Sequence, residues 1–474
     1  MDGTPATVKD GPLIALRRIR VKDFRRIEQL DVEFPANVRV ICFVGPNGSG
    51  KSSLLSKLAF SLCQYTHERA PDLPKGVGAN ASGEGLVRNS LMGEIRTGQP
   101  AYLVRTDWEF KGSAAAHTDS AWNDQDQKPA RDFFPEDVGS RYLSSMVRFL
   151  NHWQPRDPVD DVVARSILLI RPADRCEQAS YEEADPLIVT PPFSNYWVQQ
   201  RSLPIRVKKW GFELEQFLYS LVVEDILDRP LPTKGMALFA RIYTALIGET
   251  FKINVRPWPY VRLGLSALPE LSALSAGELD VLVTAGLIIG QAIFIAMNSD
   301  RIDLDPQGFV FIDEIDSHLH PQWQQKVIPI LTNAFPNVTF VITTHSPFVL
   351  RSLSKENSRV VRLPDGEVFN TEFNAWQIDD ILGAVFEVPT PWSPGISRQL
   401  ENLEALLKDP TREEEAIRLY QELTSHQSTG LKAECRRLAG LFGTAGFMEK
   451  LVNSANGSAA NEEGSLASTA EIPT

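Results

Sequence analysis

Gly45-Pro46-Asn47-Gly48-Ser49-Gly50-Lys51-Ser52 fits the spacing G-x-x-x-x-G-K-[ST] of a phosphate-binding loop. The apolar run Val38-Arg39-Val40-Ile41-Cys42-Phe43-Val44 before it reads as a buried strand. Ser53-Leu54-Leu55-Ser56-Lys57-Leu58-Ala59-Phe60 after it reads as a helix. Strand, glycine loop and helix form the context this motif needs. The glycines let successive backbone N–H groups turn inward around an anion, and the helix N-terminus adds partial positive charge. Lys51 is placed to reach β- and γ-phosphates, and the Ser52 hydroxyl to ligate Mg²⁺. The candidate nucleotide contacts are therefore Gly45, Pro46, Asn47, Gly48, Ser49, Gly50, Lys51, Ser52 and Ser53.

A second stretch supplies acids. Gly308-Phe309-Val310-Phe311-Ile312 reads as a buried strand ending in Asp313-Glu314, and ligands of open α/β sheets sit at the carboxyl ends of strands. Asp313 is the candidate Mg²⁺ partner, and Glu314 the candidate base for an attacking water. The next strand, Val338-Thr339-Phe340-Val341-Ile342-Thr343-Thr344, delivers His345 at its tip, where an imidazole can reach a γ-phosphate. Leu274-Ser275-Ala276-Gly277-Glu278 opens an apolar helix pattern that runs to Met297. Ser275 and Glu278 fit a capping box, and the same helix start, with its hydroxyl and dipole, suits an anion.

These motifs, in this order, resemble an ABC-type ATPase head, with Leu274–Glu278 standing for the signature sequence. Val21-Lys22-Asp23-Phe24-Arg25-Arg26-Ile27 looks like the N-terminal strand of SMC/RecF-type ATPases. Asp313-Glu314-Ile315-Asp316-Ser317-His318-Leu319-His320-Pro321, Thr343-Thr344-His345-Ser346-Pro347 and Ile170-Arg171-Pro172-Ala173-Asp174-Arg175 resemble AAA-type ATPases of the OLD and RecF groups and prokaryotic anti-phage ATPases of the Septu kind. The resemblance implies an α/β P-loop NTPase fold with a mixed or parallel central sheet. It also implies hydrolysis of Mg²⁺-bound ATP and a homodimer that forms on ATP. Ser275, Ala276, Gly277 and Glu278 would then act in trans on the partner's nucleotide, and Asp316 would lie in the loop at the interface. Such heads carry a Gln near Mg²⁺ and water, and here Gln64 and Gln99 are both candidates. After His345 there is no acidic nuclease pattern, and residues 360–368 read as a hairpin instead, so the chain itself is not expected to be a nuclease.

The bulk numbers set the limits. The chain has 474 residues, 43% hydrophobic and 23% charged, with a formal net charge of −12, which argues against a globally basic nucleic-acid binder. Arg17, Arg18, Arg20, Lys22, Arg25 and Arg26 form a local basic patch. It reads equally as a DNA or RNA contact or as a solvated strand edge. The four cysteines, Cys42, Cys63, Cys176 and Cys435, are dispersed, and Met1-Asp2-Gly3-Thr4-Pro5 carries no export signal. No uninterrupted apolar run is read as reaching bilayer length. A cytoplasmic protein without a membrane is the expectation.

Along the chain, residues 13–70 and 255–390 are expected to form the head, 71–254 a large α+β insert, 391–452 a helical region and 453–474 a disordered tail. Residues 13–34 alternate like two strands joined near Lys22–Arg25, and Ala101–Phe110 alternates like another. Polar residues 112–137 suggest a flexible excursion. A helical pattern follows over Val138–Trp153, then a strand at Ser166–Ile170, helices over Trp210–Leu227 and Met236–Ile247, and a strand pair within Phe251–Leu265. Gln322–Ala334 reads as one amphipathic helix, and Gln377–Phe386 and Ser397–Ala445 as helical. The insert's Trp108, Trp122, Trp153, Trp197 and Trp210 read as core aromatics rather than base-stacking platforms.

The leading function is an ATP-driven dimer acting in DNA repair or anti-phage defence, on nucleic acid or with a nuclease partner. The alternatives are the ATPase subunit of a membrane transporter and a nucleotide-sensing scaffold with negligible turnover.

Overall fold

Alternation along the chain's first strands builds one face of the molecule. In the computed structural model, residues 12–69, 94–123, 141–144, 147–154, 162, 166–173, 214, 217–218, 221, 229–251, 254–255, 263–264, 274–297, 303–388 and 392–451 are described. Strands β1 (Ile14–Phe24) and β2 (Ile27–Glu33) form a hairpin. β3 (Val40–Val44) leads through the glycine loop into α1 (Lys51–Arg69). β4 (Ala101–Phe110), β5 (Ser113–Asn123), β6 (Arg141–Ser144) and β7 (Val147–Gln154) complete an antiparallel sheet in the order β2-β1-β4-β5-β7-β6.

The second sheet is the one that carries the site. β8 (Ile167–Arg171), α2 (Pro230–Ile247), the short pair β9 (Asn254–Val255) and β10 (Leu263–Gly264), and α3 (Ala276–Met297) precede β11 (Gln307–Ile312). Helices α4 (Pro321–Gln324) and α5 (Val327–Ala334), β12 (Asn337–Thr343), α6 (Pro347–Leu350), β13 (Ser358–Arg362), β14 (Val368–Phe369) and α7 (Ile378–Ala384) follow. Strand order is β14-β13-β3-β12-β11-β8, all parallel apart from edge strand β14.

The period of two sorts the central strands onto two cores. Ile41, Phe43, Phe309, Phe311 and Val341 pack with Phe24, Ile27, Tyr102 and Trp108 of the antiparallel sheet and Leu54, Leu55 and Leu58 of α1. Val40, Cys42, Val44, Val310, Ile312, Phe340 and Ile342 pack on the other side with α2, α3 and α5. Covered on both faces, these strands are continuously apolar. Each fully buried Val, Leu, Ile or Phe among them contributes roughly 1.5–3 kcal/mol.

Several expectations are corrected. β4 to β8 lie within 71–254, yet they hydrogen-bond into the two sheets, so much of the supposed insert is head. Of the excursion 112–137, residues 113–123 form a strand turned back on β4 through Lys111 (φ 45°) and Gly112 (φ 81°). Its polar side chains are not solvent-seeking: Asp119 meets buried Lys57 at 2.6 Å and Tyr102 at 3.0 Å. The helix expected over 138–153 is the strand pair β6–β7, because the open edge of β5 offers a ladder and tertiary pairing overrides local pattern. The single helix over 322–334 is two, since Pro329 cannot donate to Gln325 and its ring clashes with that carbonyl. α3 is long and apolar enough to cross a membrane, contrary to the sequence reading, but 83% of its apolar window is buried in the fold, as in a core helix.

Strands β1–β2, β4, β8, β9–β10, β11, β12 and β13–β14 fall where alternation or an apolar run places them. Residues 214, 217, 218 and 221 are helical within the expected 210–227. The tail from 453 and the side chains of Cys63 and Gln64 lie outside the described residues. A second compact unit begins at Val388. It consists of α8 (Pro394–Leu407), α9 (Glu413–Ser425) and α10 (Thr429–Phe442), closed around Leu403, Leu407, Leu423, Cys435 and Leu438.

Candidate functional site: a phosphate loop facing two strand ends

The glycine loop follows β3 at the sheet's carboxyl end. Gly45 (φ 134°), Gly48 (φ 74°) and Gly50 (φ 105°) hold angles that L side chains avoid. Gly45 also has no room for a Cβ, which would sit 2.1 Å from the Leu363 carbonyl oxygen. Pro46, Asn47, Gly48 and Ser52 are exposed, whereas Lys51 and Ser49 are buried. The Lys51 ammonium donates to the Gly45 and Pro46 carbonyls at 3.0 Å each. Burial pushes its pKa down, against the pull of Asp313, Glu314 and Asp316. The Ser49 hydroxyl is buried with no partner among the described residues. A glycine cradle, a lysine spent on loop carbonyls and an unmet hydroxyl fit a polyphosphate.

The acids arrive on β11, next to the β12 tip. Ser52 Oγ donates to Asp313 Oδ1 at 3.0 Å, across 261 residues of chain. Thr343 Oγ1 donates to the same oxygen at 2.5 Å and accepts from the Glu314 N–H at 2.7 Å. Thr343 thereby fixes both acids, a role that the sequence reading missed. Glu314 has φ 49°, a conformation non-glycine residues keep only where the surroundings impose it. Ser317 Oγ donates to its carboxylate at 3.2 Å. Ser52 and Asp313 are thus the pair that could hold Mg²⁺, which binds through few protein oxygens and keeps several waters.

His345 is half-buried beside these groups. Burial first, and then the nearby Lys51 ammonium, hold its pKa below the ordinary histidine value, against Asp316, Glu314 and Asp313. Its backbone N–H donates to Asp316 Oδ1 at 3.3 Å, and Thr344 Oγ1 donates to the same oxygen at 2.5 Å. Asp316 therefore ties the turn after β11 to its own chain's His345 loop.

The helix start bearing the signature-like residues is accessible. Ser275 and Ala276 are exposed, Glu278 is half-buried, and Gly277 is buried. The capping box is formed: the Ser275 N–H donates to Glu278 Oε2 at 2.9 Å, and Ser275 Oγ does so at 2.7 Å. Gly277 packs on the backbone of His318, whose φ is 63°. One turn further, Asp280 forms a buried ion pair with Arg171, the last residue of β8, whose carbonyl accepts the Asp313 N–H at 2.9 Å.

Three cations of the basic patch are paired with carboxylates. Arg17 pairs with Glu109 at 2.6 Å, Arg18 with Asp31 at 2.6 Å, and Arg20 with Asp107 at 3.1 Å. Arg26 leaves the patch altogether. The hairpin tip, with Asp23 and Arg25 at positive φ, lays its guanidinium 3.5 Å from where a Gly48 Cβ would stand. Gln99 is exposed in the turn before β4, and nothing described joins it to the phosphate loop. Among the described residues no group of His, Cys, Asp or Glu has the makings of a metal cluster.

Comparison with known proteins finds AAA-domain sequence. A family model described as "AAA domain" matches residues 18–134, and one described as "AAA domain, putative AbiEii toxin, Type IV TA system" matches residues 292–351. The chain thus carries two stretches of AAA-domain sequence. It is 29% identical over 440 residues to a Septu protein PtuA of Bacillus mycoides, covering 88% of this chain and 51% of the relative. It is 31% identical over 159 residues to the retron Ec83 probable ATPase of Escherichia coli, covering 32% of this chain and 28% of the relative. It is 41% identical over 88 residues to the retron Vc95 probable ATPase of Vibrio cholerae, covering 19% and 17%. The chain thus spans about half, or less, of the curated relatives it matches. An SMC head domain from Thermotoga maritima is similar at 15% identity and a TM-score of 0.37, covering 75% of this chain and 99% of that one.

Proposed function

We propose that this protein hydrolyses ATP as a nucleotide-sandwiched homodimer in anti-phage defence. The observation that carries the reading is the bond between Ser52 and Asp313, which closes the phosphate loop onto the acid-bearing strand. The loop N–H groups, Lys51 and Arg26 would hold the triphosphate, and Ser52 and Asp313 its Mg²⁺, which neutralises charge on the phosphates. Glu314 takes a proton from the attacking water, and the imidazole of His345 orients that water and the γ-phosphate. The exposed start of α3, with Ser275, Ala276, Gly277 and Glu278, supplies the remaining donors to the partner's nucleotide.

The cellular setting comes from the retron and Septu relatives. In that setting the effector is a nuclease partner protein. Contact with DNA or RNA through Arg17–Arg26 is not part of the proposal, because Arg17, Arg18 and Arg20 are neutralised by carboxylates.

The test is ATP turnover alongside mass by light scattering. Wild type should release phosphate, and Lys51→Ala should not. Glu314→Gln should retain ATP and elute as a dimer. A Glu314→Gln protein that hydrolyses at the wild-type rate, or stays monomeric with saturating ATP, refutes the scheme.

A further inference from the structure

One side chain outside every motif read from the sequence touches both halves of the hydrolytic site. Gln324 ends the short helix α4 and is half-buried. Its Nε2 donates to the Leu319 carbonyl at 2.9 Å and to the Asp316 carbonyl at 3.4 Å. Its Oε1 accepts from Ser346 Oγ at 2.6 Å. The first two partners lie in the turn that leaves Glu314, and the third directly follows His345. Ser346 in turn accepts the Phe348 and Val349 N–H groups and caps α6.

We infer that Gln324 is a positioning residue whose single carboxamide locks the turn behind Glu314 to the loop that carries His345. The chemistry favours an amide. A planar group must donate to two carbonyls on one side and accept a hydroxyl on the other. A carboxylate of the same shape would face the Asp316 and Leu319 oxygens without a proton, and a thioether would bond to neither loop. The linkage also reaches the signature-like helix. Gly277 rests on the His318 carbonyl, inside the turn that Gln324 holds. A movement at the start of α3 thus passes through residues 316–319 and Gln324 to Ser346 and His345. Asp316 provides a parallel strut through Thr344 and the His345 N–H.

This inference rests on Glu314 and His345 being the hydrolytic pair, so the experiment measures that pair first. Wild type must turn over ATP and Glu314→Gln must not; if either fails, the functional reading falls and the inference with it. Gln324→Met and Gln324→Glu are then compared with wild type. Misplacing a reacting group by an ångström costs up to about a hundred-fold in rate, so kcat should fall roughly 10- to 100-fold. The Kd for a fluorescent ATP analogue should stay within about two-fold, as for a group that acts after binding. A second readout avoids turnover. In the nucleotide-free protein the His345 ring resonance, assigned by its loss in His345→Gln, should titrate closer to ordinary histidine in Gln324→Met. The isosteric Gln324→Glu covers the case in which Gln324→Met does not fold. Unchanged kcat, an unmoved His345 titration, or a parallel loss of affinity and melting temperature each overturns the assignment.

Discussion

Gly277→Ala is the sharpest test of how the signature-like helix is seated. The added methyl would stand 2.4 Å from the His318 carbonyl oxygen and 2.8 Å from both its carbon and Leu319 Cδ2. Two of these three atoms are backbone, so no side-chain rotation relieves the contact. Restoring even a tight 3.0 Å separation requires the turn or the helix to retreat from 2.4 Å. Overpacking of this kind costs about 1–3 kcal/mol. Alanine's helix preference over glycine returns up to about 1 kcal/mol, less in a first turn. The net expectation is a loss of about 1–2 kcal/mol, a fall of a few degrees in Tm on the scale of about 2–4 °C per kcal/mol for a large domain. The carbonyls displaced are those beside Leu319 and Asp316, so turnover should drop about 10-fold or more through mispositioned His345. The assay is thermal melting without nucleotide, followed by steady-state hydrolysis. Destabilisation of the nucleotide-free protein identifies packing within one chain, since no partner or ATP is needed to produce it. A Gly277→Ala protein that melts at or above the wild-type temperature and hydrolyses ATP normally would refute this account of the turn.

Arg171→Met removes one side of the buried pair with Asp280 and should cost up to about 3–5 kcal/mol by denaturant titration, with Arg171→Met/Asp280→Asn recovering part of the loss. Arg26→Ala removes a cation from above Gly48 and should raise the Kd for ATP several-fold, with the circular dichroism spectrum unchanged. Thr343→Val deletes the hydroxyl shared by Asp313 and the Glu314 N–H, and should lower Mg²⁺-dependent turnover about 10-fold or more. His345 titrates below its ordinary value in the native state, so the unfolded chain binds the extra proton first as pH falls. Stability should therefore decline on acidification through the ordinary histidine range, about 6.5, and the decline should be shallower in His345→Gln.

The phosphate loop, the Asp313-Glu314 strand end and His345 were legible because each couples an apolar run of strand length to residues of narrow chemistry. The same residues that bury the strand also announce the site. What failed was reading polar composition as flexibility. Ser113–Asn123 looks like a loop until Asp119 is seen against Lys57 and Tyr102. There, burial works against the Lys57 charge, but Asp119 and Glu94 outweigh it and hold its pKa above the ordinary value. Arg26 looked like one more cation in a patch. Only the hairpin tip, whose Arg25 N–H donates to the Glu94 carbonyl at 2.7 Å, shows that it points elsewhere from Arg18 and Arg20.

By itself, then, the amino-acid order determined the local geometry of the nucleotide cradle and the periodicities that sort strands from helices, since both depend on neighbours within one or two turns of chain. Tertiary structure alone decided what lies opposite what: Ser52 against Asp313, Gly277 against His318, Gln324 between two loops, and carboxylates against the arginines of β1. Those contacts join segments up to 261 residues apart in the chain. A hydrogen bond fixes distance in space, and a linear pattern carries no term for the distance between residues that only folding brings together.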